Sequence, residues 1–185
     1  METNELITLQ RDCEAIQIPN GTKVTLPAGS QVRVMQSLGG TYTVMTPHGY
    51  MVRIAGADAD ALGKAPPVGP QVDTAVTTRD PAEVEQLVWD QLRTCYDPEI
   101  PVNIVDLGLV YHCEVTPLPE GGNKVDVKFT LTAPGCGMGS VLQADIENKL
   151  LGLPTVEDVN VEVVFDPPWN QDMMSEVAKL ELGLL

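Results

Sequence analysis

At Asp80 the hydrophobic period of this chain changes from two residues to 3.6, and that switch limits its possible folds more than any other feature of the 185 residues. Upstream, from Leu6 to about Ala55, short alternating runs repeat: EAIQIP, KVTLP, QVRVMQS, TYTVMT and YMVRIA. Turn signals separate them at Pro19-Asn20-Gly21, Pro27-Ala28-Gly29, Gly39-Gly40 and Pro47-His48-Gly49. Five short strands with tight turns predict a small all-β, barrel-like N-terminal domain over 1–62. The stretch 63–79 is rich in Pro, Gly and Thr without periodicity, and reads as a linker.

The third piece, 80–185, opens on a helix start: Asp80 as N-cap, Pro81 at the first helical position and Glu83 three residues on. Val84, Leu87, Val88, Leu92 and Cys95 share one apolar face, and Asp97-Pro98 is expected to end the helix. LGLVYHCEVT and KVDVKFTLT predict a hairpin across PLPEGGN. SVLQADIENKLLG predicts a second helix stopped by Gly152 and Pro154, and VEDVNVEVVFD a third strand. Strand, helix, strand implies a parallel crossover. With a short helix from about Ser175, the order is α-β-β-α-β-α, an α+β fold with helices on one face of a small mixed sheet.

Composition removes several functions. Eleven basic against twenty-six acidic side chains leave a net charge of −15, so a nucleic-acid partner is not expected. The sequence has no apolar run of membrane-spanning length, and METNELITLQ lacks the basic and apolar regions of a signal peptide, so a cytoplasmic protein without a membrane partner is expected. Four cysteines, Cys13, Cys95, Cys113 and Cys136, form no CxxC pair and match no zinc spacing. A homodimer is the default assembly.

The stretch most able to carry chemistry is LTAPGCGMGS, between the hairpin and the second helix. Cys136 there stands at the end of a strand and before a helix, where free amides and the helix dipole favour a thiolate. Gly135, Gly137 and Gly139 let another atom approach the sulfur, while a packed turn residue is the structural alternative. The loop lacks the Lys-Ser/Thr pair of a phosphate loop and the GxGxxG pattern, so no nucleotide is expected. A nucleophilic thiol would need a base, and the only histidines are His48, in a turn, and His112, on a strand beside Cys113. Asp97, Glu99 and Asp106 read first as turn-capping acids, with hard-ligand chemistry as the alternative. DPPWNQDMMSE reads as a tail anchored by Trp169, or as a partner patch using Trp169, Met173 and Met174.

Taken together, VWDQLRTCYDPEIPVNIVDLGLVY, VDVKFTLTAPGCGMG and VNVEVVFDPPWNQDMMSEVAKLELG resemble, in order and spacing, the PaaD-like metal-sulfur cluster assembly domain over 80–185. The GCGMG loop and the tail are most similar to its SufT-type branch. The resemblance implies an iron-sulfur cluster maturation factor, not an enzyme, serving late delivery to client proteins. Its loop cysteine falls on Cys136, its threonine on Thr132 and its Asp-Pro-Glu turn on Asp97, Pro98 and Glu99. Its DLGL segment falls on Asp106 to Leu109, and Gly137 stands where many members have proline. The implied site is therefore Cys136 as metal ligand with Thr132, Gly135, Gly137, Asp97 and Glu99 around it, and the implied cargo is iron or a transient iron-sulfur cluster. The implied partners are the assembly machinery and client apoproteins. Because a cluster ordinarily takes four thiolates, Cys136 would be a temporary ligand or docking thiol. Two other readings stay open: a thiol enzyme using Cys136 with His112 or an acid as helper, and a scaffold that binds through the tail and the N-terminal domain.

Overall fold

The computed structural model describes residues 4–65, 80–97, 99–135 and 137–184, and the chain divides into two compact units, Met1–Gly69 and Pro70–Leu185. The expected linker lies largely in 66–79, outside the described residues.

In the first unit six strands form one antiparallel sheet: β1 (Glu5–Thr8), β2 (Cys13–Ile18), β3 (Lys23–Leu26), β4 (Gln31–Leu38), β5 (Thr41–Met45) and β6 (Met51–Ala55). Their order is β1-β4-β5-β6-β2-β3, with β1 and β3 at the ends, and no ladder among the described residues joins those two. The five expected strands are present. The additional one, β1, is four residues long and mostly exposed, so it carries no burial alternation of its own and is held by pairing with β4. Inward residues of the strands, among them Cys13, Ala15, Val32, Val34, Val44, Val52 and Ile54, make one core. A 3-10 helix at Gly56–Leu62, which the all-β expectation lacked, adds Ala59, Ala61 and Leu62 to it. Arg11 fixes that helix from outside, donating to Asp58 at 2.8 Å and to Asp60 at 2.6 Å.

The second unit follows the expected order: α1 (Pro81–Leu92), β7 (Val110–Pro117), β8 (Asn123–Phe129), α2 (Gly139–Leu151), β9 (Val156–Val163) and α3 (Glu176–Glu181). Asp80 caps α1, accepting from the Ala82 amide at 3.0 Å, with Pro81 in the first turn. The sheet order is β7-β8-β9, antiparallel in the hairpin and parallel between β8 and β9, as a crossover through α2 requires. Val125, Val127 and Phe129 of β8 alternate onto the buried face, where Val84, Val88 and Leu92 of α1 and Leu142, Ile146 and Leu150 of α2 join one core.

Helix α1 ends at Leu92, earlier than the Asp97-Pro98 stop, so Cys95 lies beyond the helix and does not extend its apolar face. Three polar contacts account for the early end. The Thr94 hydroxyl donates back to the Gln91 carbonyl at 2.7 Å, Lys149 of α2 takes the Thr94 carbonyl at 2.8 Å, and Ile104 bonds the Cys95 carbonyl at 2.9 Å. Carbonyls engaged in this way leave the helical ladder.

Candidate functional site

The loop from Thr130 to Met138 joins the carboxyl end of β8 to α2. Its root is fixed: Thr130 is buried and donates its amide to the Leu109 carbonyl at 2.8 Å, and Val164, just past β9, donates to the Phe129 carbonyl at 2.8 Å. Thr132 is half-buried, and Ala133, Pro134, Gly135 and Gly137 are exposed. Gly135 has φ +84° with open space around the position a Cβ would take, so backbone conformation and not crowding calls for glycine there. Gly139 differs: a Cβ on it would meet Leu131 Cδ1 at 2.9 Å, so this glycine seats the start of α2 against the loop root. The N-cap position is Met138, buried and making no side-chain bond to the first turn of α2. Cys136 lies outside the described residues.

The segment Asp106 to Leu109 connects two of the sequence motifs. Through Leu109 it holds the loop root, as above. Its other residues hold the tail: the Trp169 indole donates to the Leu107 carbonyl at 2.8 Å, and the Ser175 amide donates to the Asp106 carbonyl at 2.8 Å. The Ser175 hydroxyl reaches the Asp106 carboxylate at 3.1 Å, whose other oxygen accepts from Asn103 at 2.6 Å. Tyr111 adds a bond to the Pro167 carbonyl at 2.9 Å. Gly108, at φ +71°, packs so closely that a Cβ would run into the Met173 carbonyl, whose carbon would be 2.7 Å away. The turn is capped by Asn103, whose side-chain oxygen accepts from the Val105 and Asp106 amides at 3.1 and 2.9 Å, and not by Asp106, whose carboxylate accepts from the side chains of Asn103 and Ser175. Trp169 anchors the tail, and Met174 enters the core. Sequence reasoning placed these motifs but missed their mutual contacts; Gly108 beside a lone acid was the available signal.

Asp97 is buried, and its carboxylate accepts from the Glu99 amide at 2.9 Å while its carbonyl accepts from Ile100 at 3.3 Å, which is a capped turn. Glu99 is exposed, and Pro98 lies outside the described residues. His112 is on the exposed face of β7 with its ring nitrogen 3.5 Å from Glu114. Cys13 and Cys95 are buried and Cys113 is half-buried. Burial pushes the Cys13 thiol up to about 11 and the Cys113 thiol up to about 12, so both are protonated near neutrality and are poor ligands. Among the described residues no group of three or more His, Cys, Asp or Glu side chains could hold a metal ion, and no helix is long and apolar enough to cross a membrane.

Residues 85–163 match the family model described as iron-sulfur cluster assembly protein. The chain is 44% identical over 103 residues to an Fe-S protein maturation auxiliary factor of Porphyromonas gingivalis, covering 56% of this chain and 94% of that protein. It is 43% identical over 88 residues to the auxiliary factor SufT of Staphylococcus aureus, covering 48% and 96% respectively. The corresponding figures for the auxiliary factor YitW of Bacillus subtilis are 36% over 101 residues, 55% and 95%.

Proposed function

Since this chain belongs to the iron-sulfur cluster assembly protein family, we propose that it is an auxiliary factor in Fe-S protein maturation that hands clusters to client apoproteins with Cys136 as a temporary ligand. The observation that carries the thiol's role is the contrast among the cysteines: Cys13 and Cys113 are protonated by burial, Cys95 is buried, and only Cys136 belongs to the loop that opens on an uncapped helix start. Soft thiolate chemistry suits a cluster, and the amides of the first turn of α2 stabilise negative charge at that end. One such thiol is too few for a resident cluster, so the cluster is cargo, completed by ligands of the donor or the client.

Thr132 flanks this ligand, and Gly135 and Gly137 keep the loop surface low enough for a partner to approach. Asp97 and Glu99 form a turn of their own, and by family resemblance they are proposed to belong to the same site. The partners are the assembly machinery and client apoproteins, and no turnover of a small substrate is required, which sets this reading apart from a thiol enzyme. His112, engaged with Glu114, supplies no separate argument for an enzyme.

The test is complementation in a strain lacking the gene, with a cluster-dependent dehydratase as readout under high demand for clusters. Wild type is expected to restore activity and Cys136→Ala to fail at equal protein level. Equal rescue by both would remove the thiol from the mechanism.

A further inference from the structure

Helix α3 carries an apolar surface that the fold leaves uncovered. Val177 is 58% exposed, Leu180 64% and Leu184 48%, while Ala178 on the opposite side is buried. This is not a fraying end. Ser175 caps the start, its hydroxyl accepting from the Ala178 amide at 3.2 Å, and the same residue is tied to Asp106 through both its amide and its hydroxyl. At the other end Gly183, at φ +69°, donates to the Leu180 carbonyl at 3.1 Å, and Leu184 donates to the Lys179 carbonyl at 2.8 Å. That pair of bonds is the Schellman arrangement, and it stops the helix in a defined shape. A six-residue helix capped at both ends thus presents its leucines in a fixed position, which lowers the ordering cost of anything that docks there.

The charge around the stripe states what that partner is. Glu176 precedes Leu180 by one helical turn and Glu181 follows Val177 by one turn, so exposed carboxylates flank the apolar pair on the same face. The wider surroundings have the same sign: residues 80–185 hold nineteen Asp and Glu against five Lys and Arg. An anionic lipid surface would be repelled by this face. A second copy would bring the same carboxylates against themselves, and three side chains fall far short of the ~800 Å² per partner of a standard stable interface.

We propose that the α3 stripe docks a cationic amphipathic segment of a partner protein, with Val177, Leu180 and Leu184 as apolar anchors and Glu176 and Glu181 as charge partners. The contact is brief and salt-dependent, as suits a factor that must release what it holds. The inference deepens the proposed maturation role by naming the chemistry of a partner, and it rests on that role for its biological meaning only.

The experiment uses the full chain and a fluorescein-labelled fifteen-residue peptide with leucines at helical spacing and lysines elsewhere, followed by fluorescence anisotropy. Saturable binding is expected that weakens as salt rises. Leu180→Asp should weaken it by about tenfold or more although it adds a negative charge, because an apolar anchor is lost. Leu151→Asp, at an exposed leucine on α2, should leave it unchanged. Circular dichroism of each variant checks that the fold persists. Absence of saturable binding, or binding by Leu180→Asp as tight as wild type, would overturn the proposal. So would light scattering that shows a dimer dissociated by Leu180→Asp, which would assign the stripe to a second copy. Cys136→Ala should bind the peptide like wild type, so a failed handover and a failed docking surface are told apart.

Discussion

The two units of this chain are built by different means. The first is a ladder protein: six antiparallel strands, a core of alternating inward residues, and five Lys and Arg against six Asp and Glu over residues 1–65. The second shows three strands among its described residues and holds other segments by side-chain bonds to distant backbone, Trp169 to Leu107, Tyr111 to Pro167 and Lys149 to Thr94, while carrying nearly all of the net negative charge. A ladder is specified by pattern and tolerates many sequences. A set of single polar ties is specified residue by residue, which is how the tail and the segment after α1 are held.

Glycine substitutions should separate the two most sharply. Gly108→Ala forces a Cβ onto the Met173 carbonyl in a left-handed backbone, and a loss of ~3 kcal/mol is expected from steric overlap and strain together. Gly49→Ala in the first unit has the same sign of φ but open space, so only the ~1 kcal/mol backbone cost is expected. Urea denaturation of the two variants measures both, and equal losses would mean that the contact with the tail does not matter.

Trp169→Phe keeps most of the packing but leaves the buried Leu107 carbonyl without the indole donor, an expected cost of about 2 kcal/mol. Near-equal stability in urea would show that the tail is tied by packing alone.

A smaller effect follows pH. Cys113 is shifted by burial from an ordinary 9.0 to about 12, so the unfolded thiol ionises first. The stabilising contribution is whole below about pH 9 and declines as pH rises toward 12, because the unfolded state then binds fewer protons. Replacing Cys113 by Val should flatten the alkaline part of the stability curve in that window. An unchanged alkaline slope would count against a buried thiol at this position.

Much of this architecture was legible before any coordinates. Asp80-Pro81 marked the start of α1 because capping chemistry is local, and the parallel pairing of β8 and β9 followed from the chirality of crossovers. What escaped was set by distant partners. The end of α1 depends on Lys149, fifty-five residues away, and β1 depends on β4. Asp106, which reads as a turn cap, instead receives Asn103 and the distant Ser175, which no local pattern announces. Net charge was legible as a total, but its concentration in 80–185 matters only once the chain is divided into units. Cys136, Thr132, Gly135 and Gly137 are proposed from loop position and family resemblance together. Position alone left Cys136 between ligand and turn residue.

The central claim is that Cys136 passes a cluster on. The most direct measurement mixes a cluster-loaded donor scaffold with an apo-dehydratase under anaerobic conditions and follows activation of the dehydratase with and without the purified chain. Wild type is expected to speed activation, and Cys136→Ala to leave it at the rate of donor and client alone. Equal activation by the two proteins would contradict the account and return Cys136 to the role of a turn residue.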